Sequence, residues 1–266
     1  MLDVERIYAE YIESKQEKRN KKYAKYEGLL GASSTGYCHK KQYYKLTDSE
    51  AEKASERVSR LLRLGTVVHS EIEKAIKAWN KSHDTKIYTE HQVKIPELRV
   101  VGHIDILELY PYVSRIYDFK TVASFKWRKK FGRFKNRDPN TDTTYKLQLG
   151  SYGLGVGKKP ENTELYLVWY NKDDSSMKPP VKVDSVWMKF AKEYWIELWK
   201  NIDSWMVGGV NPDDIKVDGK HSPMDTSIFT GVKQEKMWEC NYCQYSERCN
   251  SPYYTKKRKS RQLKIT

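Results

Sequence analysis

The sequence predicts an α/β or α+β fold in which helices flank a central mixed β-sheet. Three consecutive segments rich in β-branched residues, 85–95, 99–109 and 114–122, have the features of strands. An amphipathic helix is expected before them at about 50–80 and another after them at 187–207. Hydrophobic residues make up 38% of the 266 residues, which is enough for a core and argues against whole-chain disorder.

The remaining elements follow in chain order. Residues 1–27 have the pattern of an amphipathic helix, and a helical stretch around 145–154 is weakened by two glycines. Residues 163–171 and 181–186 are further expected strands. We expect a single domain over 1–255, consisting of an N-terminal helical region (1–80), a sheet core (85–186), a C-terminal helix (187–207) and a cysteine region (238–250), followed by a basic tail at 256–266.

The charge balance points to a polyanionic partner. Lys and Arg number 49 against 35 Asp and Glu, which gives a net charge of +14, and a sequence pI of about 9.3. A pI this high is typical of nucleic-acid binding, although charge that serves only solubility is the alternative. The longest apolar run, 165–170, is too short to span a bilayer, and no leader opens the chain. Membrane and secreted proteins are therefore not expected.

Two acids and a lysine are expected to converge on the hairpin formed by the second and third strands. If residues 110–113 form its turn, Asp105 faces Asp118, and strand alternation places Lys120 on the same side as Asp118. Two close carboxylates repel each other unless a cation lies between them. Oxygen ligands suit Mg²⁺ or Mn²⁺, which can polarise a phosphate, while the lysine stabilises developing charge. The alternative is a surface strand with ordinary ion pairs, but Asp is disfavoured in such an apolar strand.

Three further polar residues fit a site near this hairpin, although each has a structural alternative. His69 lies beside the apolar edge of its helix, and Gly65 one turn earlier permits close approach. Gln148 and Tyr152 are four residues apart on one helix face and can hydrogen-bond to each other. A lone helical histidine is more often structural, and the Gln–Tyr pair could be an ordinary polar stripe. Nothing in the sequence fixes the direction in which Glu90 faces.

The segment between the lysine and the Gln–Tyr helix is basic and aromatic. Its cations could neutralise DNA phosphates while its aromatic faces stack on unpaired bases. The candidates for DNA contact are Lys126, Arg128, Lys129, Lys130 and Arg133. A solvated helix with a buried stripe of Trp127, Phe131 and Phe134 is the alternative. The basic tail could add nonspecific affinity or only aid solubility.

The four cysteines suggest a metal or a cluster. Cys38 stands apart from the closely spaced group Cys240, Cys243 and Cys249. Without a secretion signal, disulfides are a poor interpretation. A four-thiolate zinc site and an iron–sulfur cluster both fit, and the three-plus-one spacing favours iron–sulfur. Unrelated thiols are the remaining alternative.

Four short motifs occur in a characteristic order: Gly65-x3-His69, Gly102-x2-Asp105, Asp118-x-Lys120 and Gln148-x3-Tyr152. They resemble the RecB-type branch of the PD-(D/E)XK nuclease superfamily over residues 33–250. The four-cysteine frame is similar to that of its iron–sulfur members, which include the CRISPR-associated adaptation exonucleases, AddB-type helicase–nuclease subunits and related viral proteins. Ile104 stands where the superfamily name has proline, and this branch commonly lacks that proline.

The resemblance implies a restriction-endonuclease-like core that forms a single nuclease domain. It further implies a Mg²⁺ or Mn²⁺ ion held by His69, Asp105, Asp118 and the carbonyl of Phe119, with Lys120 as the catalytic lysine. Gln148 and Tyr152 would support catalysis or contact DNA. Cys38, Cys240, Cys243 and Cys249 would hold a structural [4Fe–4S] cluster in a C-terminal cluster region.

The expected activity is DNA hydrolysis, by an exonuclease rather than an endonuclease, at single-stranded or free ends. The implied setting is the cytoplasm of a bacterial, archaeal or virus-infected cell, with protein partners in recombination, replication or CRISPR adaptation. The alternative that is not an enzyme is a noncatalytic nucleic-acid-binding module whose four cysteines hold Zn²⁺.

Overall fold

The computed structural model describes residues 3–133, 135, 137–138, 141–216 and 238–249. Over these residues it confirms a mixed sheet flanked by helices. The helices are α1 (Val4–Tyr23), α2 (His39–Leu46), α3 (Glu56–His83), α4 (Ser124–Phe131), α5 (Thr143–Val156) and α6 (Val186–Val207). The strands are β1 (Leu30–Gly31), β2 (Ile87–Ile95), β3 (Val100–Leu109), β4 (Ser114–Val122), β5 (Thr163–Asn171) and β6 (Met177–Val183). Phe134, Asn250 and the predicted basic tail lie outside the described residues.

The chain divides into two compact units. We call the first the sheet unit, which comprises residues 1–35 and 54–195, and the second the cysteine unit, which comprises 36–53 and 196–266. Helix α6 begins in the sheet unit and ends in the cysteine unit. The single domain expected over 1–255 stays a prediction.

Strand β3 organises the sheet because three strands pair with it. β2 runs antiparallel along one edge of β3 from Val100 to Glu108. A strand has two hydrogen-bonding edges, so β1 and β4 share the other one. β1 pairs there in parallel with Val100 and Val101, and β4 pairs antiparallel from Ile106 to Leu109. Between these two partners, residues 102–105 pair with no strand on that edge among the described residues.

The other half of the sheet is built from a parallel crossover. β4 pairs in parallel with β5 over nine residues, from Ser114↔Thr163 to Val122↔Asn171. Such a connection needs a dozen or more residues, and α4 and α5 lie in it. β5 has six apolar or aromatic residues in succession at 165–170, and all but Tyr166 and Tyr170 are buried, as expected for an inner strand.

Several predicted boundaries shift in the structure. The helix expected at about 50–80 begins at Glu56, after Ser55, and continues to His83. The last strand lies earlier than the predicted 181–186, because Pro179 and Pro180 are accommodated within β6. Proline cannot donate to a ladder, and β6 is an edge strand, where proline is tolerated. Helix α2 was not predicted, whereas a helix in the region of α4 was the alternative given for the basic segment. Among the described residues, no helix has both the length and the apolar content required to cross a bilayer.

Within the cysteine unit, polar contacts of α2 hold the later segments of the chain against this helix. Buried Lys40 donates to the carbonyl oxygens of Asp213 and Ile215 at 3.2 and 2.7 Å. The Tyr44 hydroxyl donates to Asp213 Oδ1 at 2.7 Å, and its ring stacks on Tyr245 with centroids 4.8 Å apart. Because a buried ammonium is costly unless its donors are satisfied, these contacts hold the segment after α6 close to α2.

Candidate active site

The candidate site lies in the sheet unit, where β3 and β4 separate. The predicted hairpin register is confirmed, since Ile106 pairs with Tyr117 and Leu109 with Ser114. The ladder ends at Ile106↔Tyr117, however, so the prediction that Asp105 and Asp118 are directly opposed was wrong. β4 continues alongside β5 beyond this point. The Asp105 carboxylate instead accepts a hydrogen bond from the Phe119 amide at 2.7 Å, which occupies a backbone donor beyond the end of the ladder.

A hydrogen-bonded network connects Asp118, Lys120, Gln148 and Tyr152. The Lys120 ammonium lies 2.8 Å from Asp118 Oδ2 as an ion pair and donates to Gln148 Oε1 at 2.8 Å. Gln148 Nε2 donates to Asp118 Oδ1 at 3.2 Å and to the Tyr152 hydroxyl at 2.6 Å. The predicted contact between Gln148 and Tyr152 is confirmed. The side-chain oxygen and nitrogen of Gln148 thus fix the positions of Asp118, Lys120 and Tyr152 relative to one another.

Because this network is buried, charge on its side chains is energetically costly. The Asp118 side chain is 0% exposed. Its burial raises the pKa to about 7, Lys120 opposes this rise, and the charge of Asp105 adds to it. Burial lowers the pKa of Lys120, but Asp118 and Asp105 offset this and leave its pKa above the ordinary value. The site therefore keeps a positive ammonium beside two acids whose charges oppose each other.

The raised pKa of Asp118 predicts a pH-dependent stability. In the folded protein this carboxyl holds its proton up to about pH 7, whereas an unfolded aspartate loses it near pH 3.9. Its stabilising contribution is complete below the unfolded value and is lost as the pH rises through about 7. After removal of divalent cations, the free energy of unfolding should fall by up to about 4 kcal/mol between these limits, relative to Asp118→Asn. If the difference in the free energy of unfolding between the wild type and Asp118→Asn stayed constant from pH 4 to 7, the raised pKa of Asp118 would be contradicted.

His69 approaches the site from α3. Its Nδ1 lies 3.7 Å from Asp105 Oδ1, and its ring meets Phe119 edge to face with centroids 5.0 Å apart. A Cβ on Gly65 would lie 2.8 Å from Thr121 Oγ1 of β4, which is too close for an ordinary contact. Glycine at this position thus lets α3 pack against the strand that carries Asp118.

Gly102 has a comparable role beneath Tyr152. A Cβ there would lie 2.7 Å from the Tyr152 ring and 2.9 Å from Ala32 Cβ. The Tyr152 hydroxyl is buried, and its pKa lies well above the ordinary value because of burial and of the charges of Asp118 and Asp105. Glu90 adds to this effect. It has a φ of 50° and lies between the pairs Thr89↔Ile106 and His91↔Ile104, at the register position across from Asp105.

The predicted DNA-contacting residues fall into two groups. Arg128 and Arg133 are exposed, and Lys129 lies over the exposed Phe125 ring. Lys130 is instead paired with Asp142, and Lys126 is half-buried. Of the alternative aromatic stripe, Trp127 and Phe131 are half-buried, and Trp127 packs on Phe131, which meets Trp169 of β5. One face of α4 is therefore anchored to the sheet while cations occupy the rest of the helix and its end.

Two residues near the site were missed by the sequence analysis. Asp142, only 1% exposed, precedes α5 and forms ion pairs with Lys130 and with Lys146 at 2.9 Å. Tyr145 places its ring 4.8 Å from Lys120 Nζ and 3.8 Å from Lys126 Nζ. An aspartate just before a helix is a common N-terminal signal, so Asp142 had a sequence signature. Tyr145 had none, because its contacts depend on the packing of α4 against α5.

The four cysteines all belong to the cysteine unit. Cys38 is buried, and burial raises the pKa of its thiol above the ordinary range, with further contributions from Glu239, Cys249 and Cys243. Burial also raises the pKa of Cys243 to about 11. Glu239 accepts hydrogen bonds from the Cys38 amide at 3.1 Å and from Lys41 Nζ at 3.0 Å. These contacts bring the segment that contains Cys38 to the later cysteines.

The ligand atoms present are of the types that suit the expected metals, although they are not arranged as complete coordination shells. In the described part of the chain, no three or more His, Cys, Asp or Glu side chains are arranged as a metal-binding group. Buried Asp118, whose carboxylate form is opposed by Asp105, fits a hard cation through its oxygen donors. The buried Cys38 thiol, whose ionisation is opposed by burial and by Cys249 and Cys243, fits a thiophilic metal or cluster, which binds the thiolate form.

Comparison with known proteins shows the fold alone. The structure is similar to the crystal structure of SSO0001, with a TM-score of 0.51 and 14% identity, covering 92% of this chain and 97% of that one. It is also similar to an alkaline exonuclease (LHK-Exo) from Laribacter hongkongensis, with a TM-score of 0.45 and 13% identity, covering 70% and 93% of the two chains. For LHK-Exo in complex with dAMP the TM-score is 0.43 at 14% identity, with coverages of 70% and 96%. No family model and no curated protein matches the sequence. The likeness to SSO0001 agrees with the mixed-sheet architecture, and at these identities an activity does not follow from it.

Proposed function

We propose that this protein is a metal-dependent deoxyribonuclease that hydrolyses phosphodiester bonds. The observation that carries the proposal is the buried pair of Asp118 and Lys120, held by Gln148 and influenced by Asp105. A buried ion pair contributes little to stability compared with apolar packing. A buried ion pair with perturbed pKa values at the point where two strands separate is better explained by chemistry than by folding.

The proposed cation would be Mg²⁺ or Mn²⁺, held by His69, Asp105, Asp118 and the carbonyl of Phe119. Bound there, the cation would supply Lewis-acid polarisation of a phosphodiester oxygen and a lowered pKa for water. Asp105 already contacts the Phe119 amide, and His69 lies next to Asp105. These four groups come from α3, β3 and β4, so the separation of the strands determines their spacing.

The protein's own side chains would position and stabilise the reacting phosphate. Lys120 keeps its positive charge and would stabilise negative charge that develops on the phosphate. Gln148 fixes the orientation of both Lys120 and Asp118. Tyr152 accepts a hydrogen bond from Gln148, so its own hydroxyl proton can be donated to a substrate oxygen or to water.

For the cysteine unit we propose a [4Fe–4S] cluster held by Cys38, Cys240, Cys243 and Cys249, with Zn²⁺ as the alternative. The cluster would be structural, since it would join residues on either side of α6 in sequence. The Glu239 contacts with Cys38 and Lys41 support this proposal because they already unite the two cysteine-bearing segments.

We further propose that the substrate is DNA with single-stranded or free ends, and that the enzyme acts as an exonuclease. The basic residues of α4 supply the charge for binding, because phosphate contacts dominate affinity for DNA. Linear and circular single-stranded DNA of one sequence test this proposal. In Mn²⁺ the linear form should be degraded to short products while the circular form remains intact.

Asp118→Asn is the matched control, and it should leave both DNA forms intact. Equal cleavage of circular and linear DNA would show an endonuclease and contradict the exonuclease proposal. Binding of both forms without any cleavage would favour the noncatalytic nucleic-acid-binding module.

A further inference from the structure

The Tyr145 ring lies between α5 and two lysines of different origin. Lys120, from β4, has its Nζ 4.8 Å from the ring centroid, and Lys126, from α4, has its Nζ at 3.8 Å. Both distances are within the range of cation–π contacts. The aromatic ring therefore keeps two ammonium groups near each other, one of which belongs to the Asp118 network.

Carboxylates balance the positive charge of one of these two lysines but not that of the other to the same extent. Lys120 is paired with Asp118. Asp142, the buried acid of this region, is engaged by Lys130 and Lys146. Among the residues that the structure describes, Lys126 makes no ion pair with a carboxylate. Burial, followed by the charge of Lys120, lowers the pKa of Lys126 to about 8, and Asp142 and Asp138 oppose this only in part.

We propose that Lys126 and Tyr145 form a subsite for a backbone phosphate adjacent to the one held at Asp118 and Lys120. An anion at this position would relieve the repulsion between the two ammonium groups, and a phosphodiester carries the required single negative charge. The Tyr145 ring would hold Lys126 in place for that contact. This inference rests on the proposed function and extends it, because it assigns a position and an aromatic positioning residue to a second phosphate of the substrate.

Binding of a fluorescent oligodeoxythymidylate in EDTA tests the subsite without requiring cleavage. Lys126→Met should weaken binding roughly tenfold, as expected for the loss of a charge-assisted hydrogen bond. It should also reduce the slope of log K against log salt by about 0.7, the contribution of one phosphate of a single strand. Lys192→Met, which removes an exposed lysine of α6, should bind like the wild type apart from a general charge effect of less than twofold.

Variants of Tyr145 separate ring packing from hydrogen bonding. Tyr145→Leu should weaken binding as much as Lys126→Met, and the double variant should be no weaker than either single variant. Tyr145→Phe keeps the ring and should bind like the wild type. Unchanged binding and salt slope in Lys126→Met would overturn the inference, as would equal losses in Tyr145→Phe and Tyr145→Leu.

These experiments distinguish failure of the phosphate subsite from failure of the proposed nuclease function. Weaker binding in Lys126→Met by a protein that never cleaves DNA would support the subsite and contradict the nuclease. Cleavage as proposed, with binding unaffected by Lys126→Met, would support the nuclease and overturn the subsite.

Discussion

Replacing Lys120 with methionine is expected to lower the single-turnover rate of DNA cleavage by a factor of about 10³, as seen when a preorganised charge-stabilising group is removed. Its ammonium lies 2.8 Å from Asp118 Oδ2 and is held by Gln148, so it is fixed before the substrate arrives. Methionine keeps most of the unbranched stem of lysine and removes the ammonium, with its charge and its hydrogen bond to Gln148. The measurement is the rate of product formation at saturating enzyme with Mn²⁺.

The same variant should retain most of its affinity for DNA. Binding in EDTA should change by less than about threefold, because the charge of Lys120 is already compensated by Asp118 and the contacts of other cations with phosphates dominate affinity. Removing Lys120 leaves Asp118 buried beside Asp105, and the pKa of Asp118 should rise further. The fold of Lys120→Met must therefore be verified by circular dichroism. A folded Lys120→Met variant that cleaves within tenfold of the wild-type rate would refute the assignment.

Replacing Cys38 with alanine is expected to have the largest effect on stability. The thiol is buried and interacts with Cys243 and Cys249, so its loss should release the proposed cluster. Binding free energy at a structural metal site is folding free energy, and the thermal midpoint should drop by roughly 10 °C or more. The purified wild type should be brown and absorb near roughly 400 nm, as expected for iron–sulfur ligation, whereas Cys38→Ala should be colourless.

Removing the cluster from the wild type provides the control for this variant. The cluster-free wild type and Cys38→Ala should melt at the same temperature, because both lack the same cross-link. Wild-type protein that contains neither iron nor zinc, or a Cys38→Ala variant that melts like the wild type, would contradict the proposal. Zinc in place of iron would support the alternative metal at the four cysteines.

The local parts of this structure were predictable from sequence because local patterns determine them. Alternating β-branched residues place β2, β3 and β4 to within two residues. A four-residue turn fixes the hairpin register, and a four-residue helical spacing brings Gln148 to Tyr152. These relations depend only on strand and helix periodicity.

The nonlocal parts were not predictable. The relation of Asp105 to Asp118 depends on where β3 and β4 separate, and that point is set by β1 and β5, which compete for the strand edges. Similarly, the contacts of Tyr145 and Asp142 depend on how α4 packs against α5. No pattern within either segment contains that information.

Metal-dependent nuclease activity is tested by cleavage of end-labelled linear single-stranded DNA by the wild-type protein, with its cysteine unit intact, in Mn²⁺ and in EDTA. We predict time-dependent cleavage in Mn²⁺, none in EDTA, and recovery when Mn²⁺ is added in excess of the chelator. Cleavage that persists in EDTA, or its absence in Mn²⁺, would contradict a metal-dependent nuclease built on Asp105, Asp118 and Lys120.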